Sequence, residues 1–304
     1  ILGKNAGTDF SNSLLVGHAT TGTLSSAEGN TGVGFVSLDA LTSGDNNTAI
    51  GYNSLSTLTT GTNNVGLGGW ALKATVDGGN NTAVGYLSQK DATGGSGNTS
   101  LGYDSLEDVT GDHNIAIGKG AGKNITSGDG NVIIGQIDAD SATGDKQLIL
   151  ADGVDGSVAW LKGDSSGNLT FKSKDTGDDN PYVLTLQTGE TDIAVSDILG
   201  SINFQAPDEG AGTDAILVAA GIEAVSEGDF SSSNNATKLS FKTAASEAAA
   251  EKMSLSSAGV LTVSSTITAD SKDVILGKNE GTNFTDGLLV GHSTTGTLSG
   301  ALRN

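Results

Sequence analysis

Cysteine is absent from this 304-residue chain, so the fold does without disulfides, which is unusual only for a small secreted domain. Proline totals 2 and glycine does not recur at every third residue, which excludes a collagen helix. Aromatic residues make up 4% of the chain, too few bulky groups to fill a round core, and an elongated fold of many thin layers fits better. No apolar run reaches the length of a membrane-spanning helix; the longest nearly apolar piece is "AILVAAGIEAV" at 215 to 225. Membrane insertion is therefore not expected. Basic residues are scarce, 15 Lys and Arg against 35 Asp and Glu, giving a net charge of -20. That balance argues against binding a nucleic-acid backbone, which needs clustered Lys and Arg. Acidic charge spread over turns means a solvated surface, with divalent-cation binding or a saline habitat as alternatives. The first residue is Ile and no signal peptide is evident, so the chain reads as a processed product or a piece of something longer.

What is abundant is glycine, 46 residues, about twice the usual share of roughly 7%. It is periodic. Asn30, Asn47, Asn64, Asn81, Asn98, Asn114 and Asn131 follow one another at steps of 17, 17, 17, 17, 16 and 17. Each opens a phrase ("TGVG", "TAIG", "VGLG", "TAVG", "TSLG", "IAIG", "VIIG") that closes on Gly34, Gly51, Gly68, Gly85, Gly102, Gly118 or Gly135. Upstream, "ILG" and "LVG" end at Gly3 and Gly17, a step of 14, and downstream "LILA" brings Ala151 to the glycine position. Nine rungs are expected.

A period near 17 is too short for two helices, and a glycine in every unit would cost a helix about 1 kcal/mol each time. It suits one coil of a stacked β-structure in which each unit buries its apolar side only against its neighbours. The phrases alternate small or polar residues with Val, Ile or Leu, the signature of a strand with one buried face. Glycine then turns the chain or admits a neighbouring backbone. The stacked Asn residues are expected at corners, tolerating the left-handed conformation and bonding to backbone or to each other. The links "TSGDN", "TTGTN" and "TSGDGN" are turn chemistry.

Three regions follow. Residues 1 to 145 form the rung array, ending at the acidic run "DADSATGDK". Residues 146 to 272 lose the period and become short alternating strands such as "QLILAD", "VAWLKG", "YVLTLQT", "GSINFQA" and "TKLSFKTA". Within them "ASEAAAEKM", 245 to 253, has helix formers without an amphipathic stripe and is expected to be a short helix or a loop. Residues 273 to 304 begin a repeat of the whole, because 275 to 304 match 1 to 30 at 21 of 30 positions. A protein of tandem units of about 274 residues is the inference drawn from that offset.

"GDNNTAIGYNSLSTLTTGTNNVGLG" resembles the head repeats of trimeric autotransporter adhesins, and more closely the "NTAIGYNSL" arrays in the tail fibres of marine bacteriophages. "GSINFQAPDEG", "AILVAAGIEAV" and "NNATKLSFKTAASEAAAEKMSLSSAGVLTV" look like a second module common in phage fibres. The resemblance implies a left-handed parallel β-roll, a homotrimer and an extracellular location on a virion tail or cell surface. Physics adds its own reason for a trimer, since a thin roll leaves apolar flanks that closed cyclic symmetry would bury. The step of 17 exceeds the step near 14 usual in adhesin heads, so longer turns are expected. The autotransporter membrane anchor and the chaperone domain that ends many phage fibres are not among these residues.

Chemical motifs were sought in the same register. "GKGAGKN" at 118 to 124 fails as a phosphate loop, with Asn124 where Ser or Thr is required and Ile117 at the first glycine position. "GLGGWA" fails as a dinucleotide fingerprint, and "GGSGNTSLG" at 94 to 102 has Thr99 in place of the essential Asp of a calcium nonapeptide. Asp138, Asp140, Asp145, Asp178 and Asp179 could bind a cation but follow no EF-hand pattern. His18 and His292 are one position in successive units, and His113 lies in a rung turn; none forms a catalytic constellation. Three copies of His18 on a trimer axis could hold a metal or anion. Trp70, Trp160, Tyr52, Tyr86 and Tyr103 could stack on sugars, but the three tyrosines share the position after the rung glycine, which favours a structural ladder.

The expectation is therefore an all-β chain: a trimeric parallel β-roll or β-solenoid with 14- to 17-residue rungs, then a compact β-strand fibre module. It is non-enzymatic and needs no cofactor. Its partners are copies of itself, tandem units and a host-surface glycan or protein receptor. A cell-surface adhesin or filament is the alternative within the structural class. A glycan depolymerase is the rival outside it, disfavoured by the regular step and few aromatics.

Overall fold

The computed structural model describes residues 10–17, 24–173, 181–205, 217–245 and 247–264. The chain divides into two compact units, Ile1–Val183 and Leu184–Asn304. Among the described residues every regular element is a strand and none is a helix. The first unit opens with β1 (Phe10–Ser11), β2 (Leu14–Val16), β3 (Ala27–Glu28) and β4 (Thr31–Val33). At the repeat step come β5 (Thr48–Ile50), β6 (Val65–Leu67), β7 (Thr82–Val84), β8 (Thr99–Leu101), β9 (Ile115–Ile117), β10 (Val132–Ile134) and β11 (Leu148–Ala151). β12 (Ala159–Gly163) and β13 (Leu169–Thr170) complete the unit.

β2 and β4 to β11 stack in parallel, each against the rung before and the rung after, which makes a β-solenoid of about eight turns. The register is strict: Thr48 faces Val65, Ala49 faces Gly66 and Ile50 faces Leu67, and the same offset recurs up the stack. Strand geometry sends alternate side chains to opposite faces, so only the middle residue of each three-residue strand points inward. Ala49, Ala83, Ala116 and Ile133 fill that inner column and are fully buried. Leu38, Leu55, Leu72 and Leu106 stack beside them, with Leu41, Leu58, Val109 and Ile125 behind. This apolar core is interrupted. One cluster runs from Leu15 to Ala83 and a second from Ala92 to Ala151. Between them Gln89 takes the leucine position and donates from Nε2 to Ser100 Oγ at 2.8 Å and to the Thr82 carbonyl at 3.1 Å.

The predicted asparagine series is a continuous buried ladder. In each rung the Asn Oδ1 accepts the backbone N–H of the next Asn; Asn64 N reaches Asn47 Oδ1 at 2.9 Å and Asn64 Nδ2 reaches it at 3.1 Å. The same Nδ2 donates to the Gly78 carbonyl at 2.8 Å, fixing the corner fourteen residues on. Among the described residues the first member is Ser13, whose Oγ accepts from Asn30 N at 2.8 Å, and the last is Gln147, on Asn131 Oδ1 at 2.8 and 3.1 Å. The left-handed conformation expected of these asparagines belongs instead to the residue before each one: Asn46, Asn63, Asn80 and His113 have φ of 58°, 60°, 59° and 59°. Both N–H groups of each doublet stay in the stack: Asn46 N bonds to the Glu28 carbonyl at 2.8 Å while Asn47 N bonds to Asn30 Oδ1 at 2.9 Å, and the residue that makes the turn is the first.

The rung glycines do both things asked of them. Gly51 has a φ of +135°, and a Cβ there would stand 2.5 Å from the Gly68 carbonyl oxygen of the next rung. The same holds in kind at Gly34, Gly68, Gly85, Gly102, Gly118 and Gly135, whereas Gly17 at φ +81° has only ordinary contacts above it. Gly3 lies outside the described residues.

The solenoid does not stop at residue 145. β11 pairs in parallel with β10, after which the chain reverses and β12 and β13 add to the same sheet antiparallel. Strands that the sequence reading placed in the following module are thus part of the first unit's sheet. Asp152 holds the reversal. Its Oδ1 accepts from the N–H groups of Val154 (2.9 Å) and Asp155 (3.1 Å), and its Oδ2 from Val158 (2.8 Å). These backbone donors hold its carboxyl well below the usual carboxylate range.

The second unit contains one antiparallel meander, β14 (Ile198–Phe204), β15 (Ala220–Ser226), β16 (Thr237–Thr243), β17 (Ala250–Leu255) and β18 (Leu261–Val263), in that spatial order. The expected short helix or loop at 245–253 is corrected over its second half: Ala250 onward is strand, since pairing of Met253 with Phe241 and Ser254 with Ser240 outweighs the local propensity of alanine and glutamate. Residues 182–188, "YVLTLQT", join no strand. The repeat start at 273–304 lies outside the described residues.

Two measurements probe these features. Asn64→Leu leaves the Asn81 N–H and the Gly78 carbonyl buried without partners, and is expected to cost about 3 kcal/mol or more in chemical denaturation. Asp152→Asn is expected to lower the melting temperature at neutral pH. A carboxyl with a depressed folded pKa stabilises above its unfolded value, so the gap between variant and wild type should narrow as pH falls below about 3.9.

Candidate functional site

The residues flanking each inward strand position point out of the solenoid, and many are apolar. Leu14, Val65 and Ile115 lie in one outward column, and Ile50, Leu67, Leu101, Ile117 and Ile134 in the other; these eight are between 36% and 49% exposed. The second column is apolar at every rung from Val16 to Leu150, whereas the first is interrupted by Thr31, Thr48, Thr82 and Thr99. A contiguous apolar surface of this kind is not expected on a chain that works alone. The five-stranded sheet of the second unit has the same character. Ile202, Ile222, Phe241, Met253 and Val263 form one cross-strand row, and Ser201, Glu223, Ser240, Ser254 and Thr262 form the adjacent row on the opposite face. On the apolar side Ile202, Phe204, Leu239, Leu255 and Leu261 remain 40% to 56% exposed.

The position after the rung glycine carries an aromatic ladder beside the outward columns. Phe35 and Tyr52 stack with centroids 6.1 Å apart, Tyr52 meets Trp70 edge-on at 5.6 Å, and Tyr86 and Tyr103 stack at 6.0 Å. Lys73 lies 4.7 Å over the Trp70 ring. Gly69 leaves the gap between the two sets, and a Cβ there would touch the Tyr86 ring at 3.1 Å. Trp160 stands apart on β12.

Another column at the rung period is charged. Lys73, Lys90, Glu107 and Lys123 are spaced 17, 17 and 16 apart. Lys90 approaches Glu107 at 3.5 Å and Asp91 at 2.9 Å, while Lys123 lies 2.9 Å from Glu107 and 2.5 Å from Asp104. These partners, Asp104 first, raise the Lys123 pKa. Asp108, desolvated beside Glu107 and Asp91, has its carboxyl pushed up. Asp104 is 8% exposed, and its Oδ1 has no hydrogen-bond partner.

The rung asparagines and glycines singled out in the sequence are thus brought together as two vertical ladders, the asparagines buried and out of reach of any ligand. The acidic turn residues diverge. Asp138 Oδ1 accepts from Asn124 N at 3.2 Å, Asp140 pairs with Lys162 at 2.5 Å, and Asp145 accepts from Asp129 N at 2.9 Å. Among the described residues no group of three His, Cys, Asp or Glu is placed to hold a metal ion. His113 is exposed in its turn; His18, His292, Asp178 and Asp179 lie outside the described residues. No described helix is long and apolar enough to cross a membrane. The outward columns and the charged column were within reach of sequence reasoning, because both recur at the step that placed the asparagines.

Fold and site together define a parallel β-solenoid with an outward face that is apolar and partly exposed among the described residues. Comparison with family models, with curated proteins and with solved structures finds no match to this chain.

The charged column yields one expectation. Lys123→Met strips the nearest cation from the buried Asp104 carboxylate and should cost about 1–3 kcal/mol in urea unfolding. Lys73→Met, whose contact is an exposed cation–π pair, should cost less than about 1 kcal/mol.

Proposed function

We propose that this chain is a segment of an extracellular fibre, a trimeric spacer in a phage tail fibre that holds a distal recognition element away from the particle. The observation that carries the reading is the outward apolar column of the solenoid, Ile50, Leu67, Leu101, Ile117 and Ile134 among its members; the second unit's sheet, taken by itself, also has an apolar side. Within each unit the described residues leave one sheet face exposed, and burying such surface at about 25 cal/mol for every Å² is a strong drive to associate. Cyclic closure satisfies identical faces without leaving a sticky end, whereas open association would aggregate. The count of three comes from the resemblance to adhesin heads and phage fibres. The mechanical role fits the parts: a stack in which rung bonds to rung through the backbone and the asparagine ladder, with aromatic stacking at some levels, resists bending and shear along its length. Nine parallel strands at roughly 4.8 Å per rung span on the order of 40 Å, a short stalk element that tandem units would extend. A surface adhesin built on the same module would share all of these features and differ in what stands at its tip.

Light scattering over a dilution series tests the assembly. A mass near three times 30.2 kDa that persists on dilution supports the proposal, and a monomer at all concentrations sinks it. Ile50→Lys with Leu67→Lys, which leaves the inward positions untouched, should reduce the trimer to smaller species while retaining the β-sheet circular dichroism spectrum.

A further inference from the structure

The repeat breaks its own rule at one place, in the stretch "GKGAGK". Two residues after the rung glycine each earlier turn from Gly34 to Gly102 carries a side chain in the left-handed conformation: Val36, Asn53, Trp70, Leu87 and Asp104, with φ between 57° and 65°. The next residue in that column is Gly120, with φ of 64° and nothing within 4 Å of where its Cβ would be. One position earlier the aromatic ladder also stops. Tyr103 stacks on Tyr86 on one side, but the next rung offers Lys119 in place of a ring. Two omissions in adjacent columns leave a notch of about 280 Å³, with Gly120 as its floor and Tyr103, Asp104, Lys119, Gln136 and Asp138 among its walls.

We infer that this notch is a binding site for one ring of an uncharged saccharide, either a free pyranose or a residue of a longer glycan. Its size lies just under the roughly 300–1,000 Å³ of sites that enclose drug-sized ligands, which suits a single sugar ring. Tyr103 is the end of a stack, 48% exposed, and supplies the flat apolar surface against which the C–H face of a pyranose packs. Around it stand groups that pair with hydroxyls: the Asp138 and Asp104 carboxylates accept, the Gln136 amide does both, and the Lys119 ammonium donates. Asp104 fixes one wall, because its Oδ2 is held by Lys123 at 2.5 Å. Charge selects the class of ligand. Asp104 and Asp138 face Lys119 and Lys123, and Lys123 is shared with Glu107 at 2.9 Å, so the notch has no excess of positive charge with which to favour a phosphate or sialic acid.

The site is formed within a single chain, so this inference does not rest on the trimer or on the fibre. It is tested by saturation-transfer NMR on the full chain, with the methyl glycosides of glucose, galactose, mannose, N-acetylglucosamine and N-acetylgalactosamine as probes, and with sialic acid and inorganic phosphate as charged comparators. Transfer to the ring protons of at least one neutral glycoside is expected. Gly120→Leu refills the column with the residue that Leu87 already places in this conformation, so the fold should survive while the transfer falls at least about tenfold. Lys119→Tyr, which extends the aromatic stack over the open face of Tyr103, should act in the same direction and stands as the second probe if Gly120→Leu melts early. Silence from every neutral glycoside, transfer that both variants leave unchanged, or tighter binding of sialic acid or phosphate would each overturn the inference. An oligosaccharide of the responding sugar binding more tightly than its monomer would identify a polymer as the source; equal affinity would identify the free sugar.

Discussion

The rest of the structure hangs on one shared oxygen per turn. The Oδ1 of each ladder asparagine from Asn30 to Asn114 takes the backbone N–H of the next asparagine and, at Asn30, Asn47, Asn98 and Asn114, the next side-chain amide as well; the ladder side chains from Asn30 to Asn114 each reach a corner carbonyl. A three-residue strand is too short to fix its own register, and slipping by one residue would turn the inner column outward. The asparagine prevents that slip because only one alignment satisfies its amide in a site from which water is excluded. Once rungs are locked at one point, the glycines can pass beneath one another, the leucines can accept left-handed backbone at a cost of about 1–2 kcal/mol each, and the rings can stack.

Much of this was legible in the residues, and what was not has physical reasons. The recurrence of Asn and Gly gave the step, the strands and the stacking. It could not say which residue of the doublets at 46–47, 63–64 and 80–81 makes the turn, since asparagine suits both the left-handed position and the ladder. The decision comes from the neighbouring rung, where the first N–H meets a backbone carbonyl and the second the ladder oxygen. The limit of the solenoid was obscured because β11 keeps the inward–outward pattern after its glycine has become Ala151. The stretch around Ala250 misled in the other direction: its local preference for helix is overruled by cross-strand partners that only the folded sheet supplies. The notch at Gly120 was hidden by the abundance of glycine around it. One more glycine in a chain that holds 46 attracts no notice until its column is seen to be otherwise occupied.

Polar groups inside the solenoid serve a purpose that an all-leucine core would not. Gln89 and Ser100 interrupt the apolar column and divide it in two, and a uniform stack would allow rungs from one part to pair with those of another. A polar step at one level gives the chain an internal mark by which the upper and lower halves are told apart during folding. The asparagine ladder alone cannot provide this, because its members are interchangeable.

That interchangeability has a consequence on the evolutionary scale. Each turn meets its neighbours through the same oxygen, the same glycine passage and the same strand register, so a copy of one turn fits between any two others without a new interface having to arise. Recombination between the coding segments of adjacent turns, which share their Asn and Gly positions, would therefore lengthen or shorten the stack in whole steps, leaving the Gln147 end and the Asp152 reversal intact. Length becomes a heritable quantity that can change in a single event, separately from whatever stands at either end.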